Sequence, residues 1–217
     1  VSGAILSATT LANGGTASSI GAATNAAANI VLNNGTLQYT GGTVAVDRGL
    51  TVNNNNGGSI EVTTALANLT TGTVSSSSGT NPTLTKTGAG TLTLAGTTDN
   101  SFLRATVNAG TLILGKTPSS STVHAVGGLL TIGSSGIVQL GGTGGGDQIF
   151  NSAAVTINGG SFDINSLSET VAAVTLNGGS ITGTSGVLTG SSYAVMSGSA
   201  SAILGGTGIG LTKSTTG

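Results

Sequence analysis

The chain has 217 residues, 39 of them Gly, with no Cys, no Trp, one His, 5% charged residues and a net charge of -1. Five Lys and Arg spread over that length cannot track a phosphate backbone, which argues against nucleic acid as a partner. No apolar run approaches the ~18 residues of a membrane helix, so no transmembrane segment is expected.

Disorder, which abundant Gly, Ser and Thr would suggest, is opposed by an apolar content of 37% arranged in short alternating runs. Residues 1–29 are rich in Ala, Ser, Thr and Gly and read as irregular, a candidate assembly or linker element. From Ile30 onward one pattern recurs: an alternating apolar strand, Asn or a small residue, Gly, then Ser or Thr and a second strand. It reads IVLNNGTLQY from Ile30, LTVNNNNGGSIEV from Leu50, LTKTGAGTLTLAG from Leu84 and ATVNAGTLILG from Ala105. It continues as LLTIGSSGIVQLGG from Leu129, VTINGGSFDI from Val155, VTLNGGSITG from Val174 and YAVMSGSASAILGG from Tyr193.

The alternation has period two, and Thr, Val and Ile sit well on a pleated surface. Long helix formers are scarce, so no helix of note is expected. Thr83, Thr85, Thr91, Thr93 and Thr111 read as the solvent side of strands. The glycine before each second strand falls at Gly35, Gly58, Gly90, Gly110, Gly136, Gly160, Gly179 and Gly198. Spacings near ~20 residues, with insertions between strands, match the turns of a β-solenoid in which each rung buries its neighbour's apolar face. Asn53, Asn108, Asn158 and Asn177 follow their strands at corresponding places. They suit a left-handed corner and are expected to stack as an amide ladder. The expectation is an all-β parallel solenoid in one domain, with stacked coils over 30–206 and a half repeat at 207–217. About nine coils at ~4.8 Å each give a rod of roughly 40–45 Å.

The stretch LTKTGAGTLTLAGTTDNSFLRATVNAGTLILG, Leu84 to Gly115, resembles the autotransporter-associated β-strand repeat. That repeat runs Leu-Thr-Lys-x-Gly-x-Gly-Thr-Leu-x-Leu, a variable loop, then Thr-Val-x-x-Gly-Thr-Leu. VDRGLTVNNNNGGSIEV resembles the segment that commonly precedes it. The resemblance implies a right-handed parallel β-helix exported to the bacterial cell surface, without catalytic residues. The loop TTDNSFLRA departs from the commoner Tyr-Thr-Gly-Gly pattern, which leaves the corner after Leu94 open.

Chemistry is sparse. Glu61 and Asp163 each stand three residues after a landmark glycine, yet four coil steps would put them roughly 20 Å apart, too far for a carboxylate pair. His124 has no Cys or carboxylate near it in sequence and reads as a loop or edge residue. GGTGGGDQIF, Gly141 to Phe150, resembles one calcium-binding nonapeptide with its acid displaced and reads as a glycine-rich turn. No catalytic, cofactor or metal residues are expected.

The closing GIGLTKSTTG repeats the opening of LTKTGAG and stops, making Leu211, Thr212 and Lys213 a candidate assembly end. The main expectation is therefore an extracellular structural subunit that stacks head to tail on copies of itself into a fibre. The alternative is a segment of a monomeric adhesin, with binding loops at Thr64–Asn81 and Thr117–Val126 and cell-surface or matrix polymers as partners. A carbohydrate-active β-helix is a distant third.

Overall fold

The computed structural model describes residues 1–54, 56–76, 81–117, 122–141 and 145–214. It is all-β, a parallel β-solenoid of about seven turns rather than nine. One 3-10 turn, Ala27–Asn29, is its only helical element among the described residues. The seven turns are the steps from Thr36–Tyr39 through Gly58–Val62, Thr83–Thr87, Arg104–Leu114, Leu130–Leu140, Val155–Asp163 and Glu169–Thr182 to Val187–Val195. Beyond them, Ile5–Ala8 and Leu211–Lys213 are short strands laid on either end of the stack.

Alternation places one inward row along the first face: Leu37, Ile60, Lys86, Val107, Ile132, Ile157 and Leu176, all buried. A second face stacks Leu69, Leu92, Leu112, Val138, Phe162 and Ile181 in the same way. Between the inward residues of the first face runs a half-buried outer column, Thr85, Thr106, Thr131, Thr156 and Thr175. A third face carries the small sheet of Val31–Leu32, Leu50–Val52 and Val74–Ser76, and later Glu169–Val171 beside Val187 to Gly190. No rung buries its own apolar side chains, so the core exists only through stacking.

The landmark glycines belong to two corners. Gly90, Gly110, Gly136, Gly160, Gly179 and Gly198 stack between the first and second faces. Gly58 instead pairs with Leu84 at the entrance to the first face, and the Gly35 carbonyl accepts the Ser59 N–H one turn below it. Both corners are tight and both select Gly, so spacing alone merges them. The same slip aligned Glu61 with Asp163. Glu61 lies on the first face, bonded to Gln38 at 2.9 Å, while Asp163 lies on the second, bonded to Gln139 at 3.0 Å.

The asparagines divide similarly. Asn177 Nδ2 donates to Asn158 Oδ1 at 2.7 Å one turn away. The next place down is taken by Gly133, whose position faces the Asn108 side chain, so the amide stack is interrupted. Asn53 follows Leu50–Val52 in the separate three-stranded sheet and is outside this column.

Residues 1–29 are bound to the stack. Arg48 is buried, and its guanidinium donates to the carbonyls of Ala12 (2.7 Å), Thr16 (3.0 Å) and Gly21 (2.9 Å). Asp47 accepts the Gly14 N–H at 2.8 Å. Lys86 plays a related part in the core row. Its Nζ donates to Thr87 O (2.6 Å), Gly88 O (2.8 Å) and Ala109 O (3.1 Å), tying one corner to the next turn. Burial pushes its pKa down to about 8, against a smaller upward pull from Glu61. Replacing it by Met strips three carbonyls of a donor while sparing the burial of a cation. We expect Lys86→Met to lower unfolding free energy by about 1–2 kcal/mol in urea titration. A variant as stable as the parent would show that the ammonium is dispensable.

Leu211, Thr212 and Lys213 pair with Tyr193, Ala194 and Val195 and are exposed. Lys213 falls in the same inward row as Lys86, and its Nζ donates to Met196 O at 2.9 Å.

Candidate functional site

The most chemically loaded place on the molecule is lateral, where consecutive turns leave the second face. It is built by the loop 97–103, the segment from Thr122 to Gly127 and the segment from Gly145 to Phe150. The first is the stretch that departs from the commoner repeat pattern. A hollow of about 230 Å³ there is lined by Asp99, Ser101, Phe102, Thr122, His124, Gly127 and Phe150.

A buried polar column supports it. Asn100 is fully enclosed; its Oδ1 accepts Val74 N–H at 3.2 Å and its Nδ2 donates to Ala125 O at 3.0 Å, bridging turns on either side. Gln148 exchanges two hydrogen bonds with the Lys116 backbone, at 2.8 and 3.0 Å. Lys116 is buried, with Nζ donating to Ala95 O at 2.8 Å. Desolvation holds its pKa down at about 8, partly offset by Asp99. Glu169 receives the N–H groups of Gln148 (2.7 Å), Ile149 (3.2 Å) and Thr170 (3.1 Å). Burial pushes its carboxyl up to about 8; the three donors pull down and Asp147 pushes up. This column satisfies backbone groups that would otherwise be orphaned where loops cross the core.

On that support sits the single His. Asp99 Oδ1 accepts both the His124 backbone N–H (2.7 Å) and ring Nδ1 (3.1 Å), and Ser101 donates to Asp99 Oδ2. The carboxylate fixes the ring with Nδ1 as the donor. Nε2 is buried without a hydrogen-bond partner among the described residues, 3.9 Å from Asp147 Oδ1. Phe150 packs edge to face on the imidazole at 5.4 Å. His124 is thus an enclosed, oriented ring and not an edge residue, because the loop of the preceding turn delivers Asp99 to it.

Phe102 and Phe150 are half exposed, 50% and 43%, although the chain has only three Phe. Phe102 holds φ at 62° and Asp147 at 65°, the left-handed region that a bulky residue rarely enters. No group of three or more His, Asp or Glu among the described residues is arranged to hold a metal ion. The calcium-like segment lies partly outside the described residues, at 142–144, as do 77–80 and 118–121 of the two expected binding loops. No helix among the described residues is long and apolar enough to cross a membrane.

No protein-family model and no solved structure matches the chain. Among curated proteins it is similar to the adhesin BmaC autotransporter of Brucella suis biovar 1 (strain 1330), 42% identical over 167 residues. The match takes in 72% of this chain and 5% of that much longer protein. Similarity to a named autotransporter adhesin and a parallel β-solenoid together fit a passenger-type β-helix.

Proposed function

We propose that this chain is a stalk segment of an exported, surface-displayed adhesin, in which the stacked turns are the rod and the lateral loops make contact. The observation that carries this reading is the similarity to an adhesin over most of the chain, joined to a fold with unbroken parallel stacking. The expectation of a fibre-forming subunit gives way to it as the main reading. The relative is named an adhesin, and within it a stretch of this size is one small part. The motif Leu84 to Gly115 supports assignment to the autotransporter-associated repeat.

The test is attachment. Beads coated with the chain should bind epithelial monolayers or matrix-coated wells several-fold more than beads coated with albumin. Equal binding of the two would remove the adhesive reading.

Head-to-tail stacking of copies stands as a second reading, favoured by apolar side chains exposed at both ends of the stack. These are Ile5 and Leu6 at one end and Ile203, Ile209 and Leu211 at the other. Such surfaces are what an adjoining turn covers, whether from the same polypeptide or from another copy. Electron microscopy of the purified chain over a concentration series separates the two. Filaments that lengthen with concentration establish copy stacking; short particles throughout dismiss it.

A further inference from the structure

We infer that the hollow beside His124 is a binding site for the cationic side chain, Lys or Arg, of a protein partner. The inference deepens the adhesive reading and rests on it, since it names the chemistry of the contact.

Three observations point the same way. First, the hollow is lined by an acid, Asp99, beside the hydroxyls of Ser101 and Thr122. Asp99 is a carboxylate, and Ser101 spends its proton on Asp99 Oδ2. His124 Nε2 is buried without a hydrogen-bond partner among the described residues, and the Asp147 carboxylate, outside the lining, stands 3.9 Å from it. A carboxylate only accepts, which suits an ammonium or guanidinium, groups that only donate. Second, no Lys or Arg among the described residues lines the hollow, and the nearby Lys116 is buried with its ammonium on Ala95 O. Third, half-exposed Phe102 and Phe150 flank the acceptors, offering apolar cover for a methylene stem and rings whose faces attract a cation within ~6 Å.

The strained backbone belongs to the same account. Phe102 occupies the left-handed region, at a cost of roughly 1–2 kcal/mol for a bulky side chain, and Asp147 shares it as a residue type that enters it readily. Neither is fixed by the core: Phe102 is half exposed, and the Asp147 side chain is 31% exposed. Strain kept at solvent-facing residues that flank a hollow is characteristic of pre-organised ligand sites.

Because the chain has one His, the Hε1–Cε1 correlation of His124 is a single reporter signal from inside the site. The chain is titrated with Nα-acetyl-lysine methylamide and Nα-acetyl-arginine methylamide, with the Nε-acetylated lysine analogue and N-acetylglucosamine as comparisons. We expect a saturable shift with the cationic probes, at a Kd of about 1–10 mM, fitting for a single side chain removed from its protein. The neutral probes should leave the signal in place. Asp147→Asn keeps a residue type that tolerates the left-handed backbone and should weaken binding at least about tenfold. Phe150→Leu should weaken it by about fivefold through loss of the ring. Absence of saturation with both cations up to ~50 mM overturns the inference. So does an equal response to the acetylated analogue, or a response to the sugar alone, which would reassign the hollow to glycans. Attachment of coated beads is read separately, so a cation-binding chain that fails to adhere would sink the adhesive reading alone.

Discussion

Gly179→Ala is expected to destabilise the solenoid by about 2–4 kcal/mol, more than its loss of one hydrogen atom suggests. Gly179 has φ at 84°, where a Cβ costs roughly 1 kcal/mol or more. The larger part comes from stacking. A Cβ there would lie 2.0 Å from Gly160 O and 2.6 Å from the Gly159 carbonyl carbon, backbone atoms of the turn below. The Gly160 position in turn meets Gly133 O and Gly136 O at 2.3 Å, so successive corners nest with no room to yield. Gly208, with φ at 74° and nothing within 4 Å of its would-be Cβ, supplies the control. Gly208→Ala should cost only the backbone part, about 1 kcal/mol. Urea unfolding of the two variants separates strain from collision. If they lose the same stability, the corners do not nest as described.

Stability is expected to fall as pH rises from about 4.5 towards 8, and Glu169 is the cause. Its folded pKa of about 8 stands above the ordinary value of 4.5. Between those values the unfolded chain releases the proton and the folded chain keeps it. The unfolded state therefore binds fewer protons, and unfolding free energy declines with pH until the folded carboxyl also ionises. The shift corresponds to roughly 3–5 kcal/mol over the whole window. Lys86 and Lys116 act oppositely above it: with folded pKa values near 8, they restore stability as pH climbs from about 8 towards 10.5. Together the three place a trough near pH 8. Glu169→Gln should be the weaker protein at pH 5, because its amide nitrogen cannot accept the Thr170 N–H. It should approach or overtake the parent at pH 8, having no charge to bury. Parallel pH profiles for the two proteins would show that Glu169 titrates as it does in the unfolded chain.

The strand faces were legible because period-two alternation survives in nearly every turn: Val155 and Ile157, Val174 and Leu176 and Leu92 and Leu94 all point inward as read. Lys86 was legible in principle. It shares the phase of buried Leu84, so a Lys in that place had to be a core cation with carbonyl partners. The two glycine corners were not separable, since each is tight and spacing cannot tell which face follows. The lateral site was hidden for a different reason. Asp99 and His124 meet only because one turn carries a loop that brings residues 25 apart into contact, and turn length varies along the chain. Its one visible trace was the departure of TTDNSFLRA from the commoner loop, and Asp99, Asn100, Ser101 and Phe102 all lie within it.

The uneven ladders also set how the rod carries load. Tension along the axis passes through every interface between turns in series, so each bears the same force and the least-laced one parts first. Between Thr36–Tyr39 and Gly58–Val62 four residue pairs hold the turns, joined by two in the small sheet and two between Val44–Ala45 and Leu69–Thr70. Between Arg104–Leu114 and Leu130–Leu140 there are nine on continuous strands. At the other end Val187–Val195 holds Ile203–Gly205 and Leu211–Lys213 by three pairs each. Pulled from both ends, the rod should therefore open from its ends, with the long-stranded turns around His124 among the last to part. A rod laced in this way lets out length at its ends while the lateral site stays folded.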